Sequence, residues 1–129
     1  MPKFINDIVL DLGLNYIKGA ATNFIPCIGA PVSYSEATTN YPTGKRCGTT
    51  IVNAANFTGP IDAASGRKLI TSSITGITVD VSGTVDHVAI VDTVSANLLA
   101  VVSLASSLAV TSCNTMSIAT FDINIQDPV

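Results

Sequence analysis

Residues 75–92 read TGITVDVSGTVDHVAIVD, and apolar and polar side chains take turns along them almost without error. A period of two is the mark of a strand with one face on a core and one face outward. The stretch also holds the chain's one histidine, His87, between Asp86 and Asp92. It therefore poses a choice between a catalytic cluster and the repeating face of a sheet. In a regular strand Asp86 and Val88 face one side and His87 and Ala89 the other. Asp86 and His87 then cannot pair as a dyad without a bulge, and the expected reading is the exposed start of a strand. Asp80 and Asp92 fall at strand ends, facing solvent or a turn.

Outward from there the same period continues. Leu69 and Thr71 alternate with Lys68 and Ile70, and Ile77, Val79 and Val81 with Thr78 and Asp80, a strand that Gly83 is expected to end. Val88 and Ile90 oppose Ala89 and Val91. Residues 92–97 read as a turn, and Leu98–Leu104 returns. Its Leu98, Leu99, Val101, Val102 and Leu104 offer apolar side chains to both faces, which suits an inner strand or a subunit contact. In SIATFDINIQD (117–127), Ala119, Phe121, Ile123 and Ile125 point one way and Thr120, Asp122, Asn124 and Gln126 the other. Short strands at this spacing predict a mainly β protein, an antiparallel two-layer β-sandwich starting near residue 67. Phe121 and Ile123 are expected in its core.

The N-terminal segment has a different period. Asn6 is a good N-cap and Asp7 suits the first helical turn. Ile5, Val9, Leu12 and Tyr16 share one face, while Leu10, Leu14 and Ile17 spread beyond it. Lys18 suits the last turn and Gly19 is placed as the stop. One short helix over about 6–18 is predicted, apolar enough to be covered on more than one side. Residues 22–28 read as a strand, YSEATT (34–39) as one helical turn, 40–48 as an exposed loop and CGTTIV (47–52) as extended. Residues 56–66, with Gly59, Pro60, Asp62 and Gly66, read as a turn-rich connection. Residues 1–129 are expected to form a single domain, the helix leading into a β-rich body over about 22–129.

The 129 residues suffice for a self-sufficient core. Charged residues make up 12%, about half the usual share, with Thr and Ser in their place. Hydroxyl surfaces are cheaper to desolvate than charged ones, which suits packing against other proteins. The net charge is −3 and the pI about 4.7. The basic doublets Lys45-Arg46 and Arg67-Lys68 do not make the basic stripe of a nucleic-acid binder. Asp7 and Asp11 interrupt any signal-peptide core. The longest apolar run, 98–110, is broken by serines and falls short of the ~20 residues that span a bilayer. Neither nucleic acid nor membrane is expected as a partner.

Cys27, Cys47 and Cys113 lie far apart with no C-x-x-C pair, so they read as reduced, buried, apolar residues rather than a zinc or redox site. A nucleophilic triad needs a base, and His87 is the one candidate. No G-x-S-x-G surrounds a serine, and a cysteine nucleophile would need His87 brought beside it. Phosphate-loop and dinucleotide fingerprints are absent. No catalytic, cofactor-binding or metal-binding residue is assigned, and the chain reads as a non-enzyme. The tract SGRKL (65–69) admits two readings. Arg67 and Lys68, with Lys45 and Arg46, are candidate contacts to an acidic partner; alternatively the doublet guards an edge strand by charge.

Three tracts, LNYIKGAATNFIPCIGAPVSYSEATTNY (14–41), FTGPIDAASGRKL (57–69) and GITVDVSGTVDHVAIVDTVSANLLAV (76–101), together with the ending TFDINIQDPV (120–129), resemble a family of small proteins encoded in the structural-gene regions of tailed bacteriophages and prophages. The likeness covers most of the chain. It departs at Cys113, where the turn before the asparagine more usually has Gly. The resemblance implies a virion component and carries over no site residues. The expected role is a capsid decoration or cement protein bound to the major capsid protein, made in the host cytoplasm and located in the virion. The alternative is a tail, baseplate or fibre-associated module. A homo-oligomer is expected, with a trimer preferred by analogy to shell-binding proteins.

Overall fold

The computed structural model describes residues 6–126. Its elements are α1 (Asp7–Ala20), β1 (Asn23–Cys27), α2 (Tyr34–Thr38), β2 (Thr50–Ile51), a 3-10 turn (Ala54–Asn56), β3 (Phe57–Asp62), β4 (Arg67–Thr71), β5 (Ile74–Thr78), β6 (Gly83–Asp92), β7 (Asn97–Val110), β8 (Thr115–Ile118) and β9 (Asp122–Ile125). The protein is mainly β, with antiparallel sheets stacked as a sandwich and one main helix near the N-terminus. One layer is a four-stranded sheet, β2-β1-β6-β7; the other is built from β3-β4-β9 and β5-β8. The main core lies between them. Phe24, Val85, Val88 and Ile90 come from the first layer, and Phe57, Leu69, Ile77, Met116, Ile118 and Ile123 from the second. Phe24 meets the Phe57 ring edge-on at 5.6 Å.

The second layer is one long ribbon with a break in it. The register set at Arg67↔Ile125 is kept, residue for residue, through Ile70↔Asp122 to Ile74↔Ile118. Between those pairs Thr71 holds the strands together. Its N–H donates to the Phe121 carbonyl at 2.9 Å, and its buried hydroxyl accepts the Phe121 N–H at 3.1 Å. The period-two run predicted over 117–127 is thus divided between β8 and β9. Ile123 is buried, Phe121 half-buried and Ala119 exposed, while Asp122 and Asn124 are exposed as predicted. Beyond Ile74 the register slips by one residue at Gly76, whose φ of 70° is left-handed.

Three expectations are corrected. The sheets begin well before residue 67, because β1 lies inside the four-stranded sheet. The tract with Gly59 and Pro60 is a strand: β3 sits at a sheet edge and bulges between Thr58 and Ile61, where a proline is tolerated. Gly83 opens β6 rather than closing the strand before it.

Asn6 caps α1 as predicted, its side chain accepting the Ile8 N–H at 2.9 Å. The helix runs through Gly19 to Ala20, because the Ala21 N–H still reaches the Ile17 carbonyl. Its faces are the reverse of the simplest reading. Leu10 and Leu14 are buried and Ile17 packs on the core, whereas Val9, Leu12 and Tyr16 face outward; Ile5 lies outside the described residues. Two apolar stripes of similar strength share this helix, and periodicity alone does not rank them.

Candidate assembly surfaces

The strand β6 carries the polar cluster singled out in the sequence. Val85 and Val88, three residues apart, both enter the main core. Strict alternation is therefore broken at Asp86 and His87, and neither enters that core. The cause is visible in the pairing. Val85 opposes Leu108 and His87 opposes Ser103, so Leu104–Ser107 of β7 bulge out opposite Asp86 alone. Released from alternation, Asp86 and His87 pair, with His87 Nδ1 2.8 Å from Asp86 Oδ1. Asp86 also accepts the N–H of Gly29, a left-handed residue at φ 91°, at 2.7 Å. The His87 hydrogen bond, then the Gly29 N–H, hold its carboxyl below the usual range. Both residues lie near the start of β6 and are half-buried rather than fully exposed, and the bulge that their pairing requires is present.

Cys27 lies directly opposite His87 on β1, so the fold brings a thiol, an imidazole and a carboxylate onto neighbouring positions. The thiol is not activated by this. Cys27 is buried with Ile25, Ala37, Ala89 and Val91 in a small cluster under α2, and its Sγ–H donates to the Ile25 carbonyl at 3.2 Å. Burial pushes its pKa up to about 12, far from the depressed values of nucleophilic cysteines. Cys47 is also buried, and desolvation raises it too. Cys113 is exposed, which corrects its reading as a buried residue. It has φ 75°, the left-handed geometry that glycine adopts without strain. The three cysteines are free thiols. Among the described residues no group of three or more His, Cys, Asp or Glu side chains is placed to hold a metal ion, and no helix is long and apolar enough to cross a membrane.

The four basic residues proposed as contacts take part in the fold to different degrees. Arg67 Nε donates to Asp11 Oδ1 at 2.7 Å and its other nitrogens reach Asp62 and the Pro60 carbonyl. Asp11 and Asp62 raise its already high pKa. It ties α1 to β3 and β4. The strand it starts, β4, is central between β3 and β9, which removes the edge-guard reading. Lys68 approaches Asp122 at 3.4 Å and Arg46 meets Asp80 at 3.0 Å. Of the four, Lys45 alone lacks a carboxylate partner among the described residues; its stem lies against Gly29.

Among the described residues two extended apolar surfaces stand open. The outer face of α1 shows Ile8 (68% exposed), Val9 (58%), Leu12 (65%) and Tyr16 (56%) on adjacent turns. The second surface is β7. It is an edge of its sheet, which corrects the inner-strand reading. Beside it runs a groove of three adjoining hollows, about 450, 350 and 370 Å³. Its walls are Val102–Thr111 on one side and Asn114–Asp122 on the other. Sequence reasoning found these apolar residues but not their exposure, because exposure depends on strand order.

No protein-family model, curated protein or solved structure matches this chain.

Proposed function

We propose that this protein is a non-enzymatic structural subunit of a tailed-bacteriophage virion, most simply a decoration or cement protein on the head shell. The likeness of its sequence tracts to proteins from phage structural-gene regions motivates the class. The observation that carries an assembly role is the outer face of α1, where Ile8, Val9, Leu12 and Tyr16 form one exposed stripe while Leu10 and Leu14 anchor the opposite side. Contiguous exposed apolar surface marks a contact site. Low charge lowers the desolvation cost of that contact. The buried, high-pKa thiol of Cys27 beside His87 supports a structural rather than a catalytic reading of the polar cluster. In this reading the chain self-associates and also meets another virion protein, the major capsid protein for a decoration role.

Copy number in purified virions tests the proposal. Hundreds of copies per particle are expected for a shell component. A few to tens would place the protein in the tail or baseplate, and absence from particles would overturn the virion reading altogether.

A further inference from the structure

The free edges of the sheets differ in how they are guarded. At the far side of the four-stranded sheet, β2 is two residues long. In the other layer β3 carries Pro60, a bulge and Asp62, and β9 carries Asp122. Short length, proline, bulges and charge are the devices by which solitary sheets avoid edge-to-edge pairing. The strand β7 has 14 residues, NLLAVVSLASSLAV, without one charged residue, proline or glycine. Bulges at Leu104–Ser107 and, by one residue, at Leu99 interrupt its pairing with β6, and Asn97–Ser103, on the near side of the larger bulge, forms an edge of about 20 Å. Within it Leu98, Leu99, Val101 and Val102 are each only half-buried.

We propose that this edge pairs antiparallel with the same edge of a second copy, across a two-fold axis, to make one continuous eight-stranded sheet. The inference rests on the reading of the chain as self-associating and names the surface that does it. Three features select a second copy. The stretch Leu98–Val102 is apolar at every position, so an antiparallel self-register centred on Ala100 sets apolar against apolar along it. No register brings like charges together. The groove beside β7 opens onto the core through Val102, Leu104, Val110 and Phe121, apolar side chains left for a neighbour to cover. A two-fold contact is self-complementary and closes on itself. The two-residue β2 at the other edge offers no comparable surface for growth into a fibre.

Multi-angle light scattering at micromolar concentration tests this, using wild type, Ser103→Lys and Leu12→Asp. Ser103 and Leu12 are both exposed, and melting curves check that the variants fold. Wild type and Leu12→Asp at twice the 13.3 kDa chain mass, with Ser103→Lys shifted at least tenfold toward monomer, is the expected result. If Ser103→Lys stays paired while Leu12→Asp dissociates, self-association stands but runs through α1, and the β7 proposal fails. A mass of three chains overturns the two-fold. A monomeric wild type overturns both the edge pairing and the self-association it rests on. A monomer that binds the peptide NLLAVVS tightly assigns the edge to a free extended arm instead of a second copy.

Discussion

The neighbouring strands β6 and β7 are both rich in Val, Ala and Leu or Ile, yet they end in opposite environments. In β6 Val88 and Ile90 fill the main core while Ala89 and Val91 are buried on the other face under α2. In β7 the residues paired with them, Val102, Ala100, Val101 and Leu98, are half-buried, and 105–109 are exposed. Composition does not separate the two. Position in the sheet does, since β6 has a strand on each side and β7 has one. An apolar run therefore says that a strand can be covered on both faces, and strand order says whether this chain does the covering.

The largest test of that contrast is a pair of truncations, measured by urea unfolding at concentrations where the chain is monomeric. Ile90→Ala should cost about 2–5 kcal/mol, because the side chain is fully buried. Val101→Ala should cost only about 1 kcal/mol, since roughly half of the side chain's burial is missing. Similar losses for both would mean that β7 is already covered within one chain.

A smaller effect belongs to the irregular point where the two strands part. Asp86 has a folded-state pKa below its unfolded value, so its contribution is present above about pH 4 and is lost as pH falls through the folded pKa. Asp86→Asn should flatten the acid limb of the stability curve relative to wild type. An unchanged acid limb would detach Asp86 from His87 and from the Gly29 turn.

The smallest effects lie at the two thiols flanking these strands. Cys113, in the turn after β7, should react with a thiol reagent in the native protein, while Cys27, opposite β6, should react only on unfolding. Cys113→Gly should raise stability by about 0.5 kcal/mol, because the left-handed strain of an L-residue outweighs the added backbone entropy of glycine. A loss of stability would show that the Cys113 side chain makes contacts that outweigh its φ.

Much of this fold is legible in the sequence because local rules and tertiary structure agree. Asn6 caps a helix, Leu69 and Thr71 turn inward, and Ile123 and Asp122 alternate. Where reading failed, a non-local partner decided. The pairing of Asp86 with His87 depends on a bulge whose extra residues lie on β7, some twenty positions away. The tract 57–62 looks like a turn because Gly59 and Pro60 break patterns, yet an edge strand tolerates both. The helix α1 carries two apolar stripes, and only the packing of Leu14 and Ile17 on the core shows which one is left outside. The candidate surfaces were legible as apolar residues but not as surfaces, for the same reason.

Hydrogen exchange of the β7 backbone as a function of protein concentration addresses the central claim most directly, since it needs no substitution. The amides of Asn97–Ser103 that point away from β6 should exchange freely in dilute protein and become protected as concentration rises, while those of β6 stay protected throughout. Protection in β7 that is equal at every concentration, or that never appears, would contradict the account.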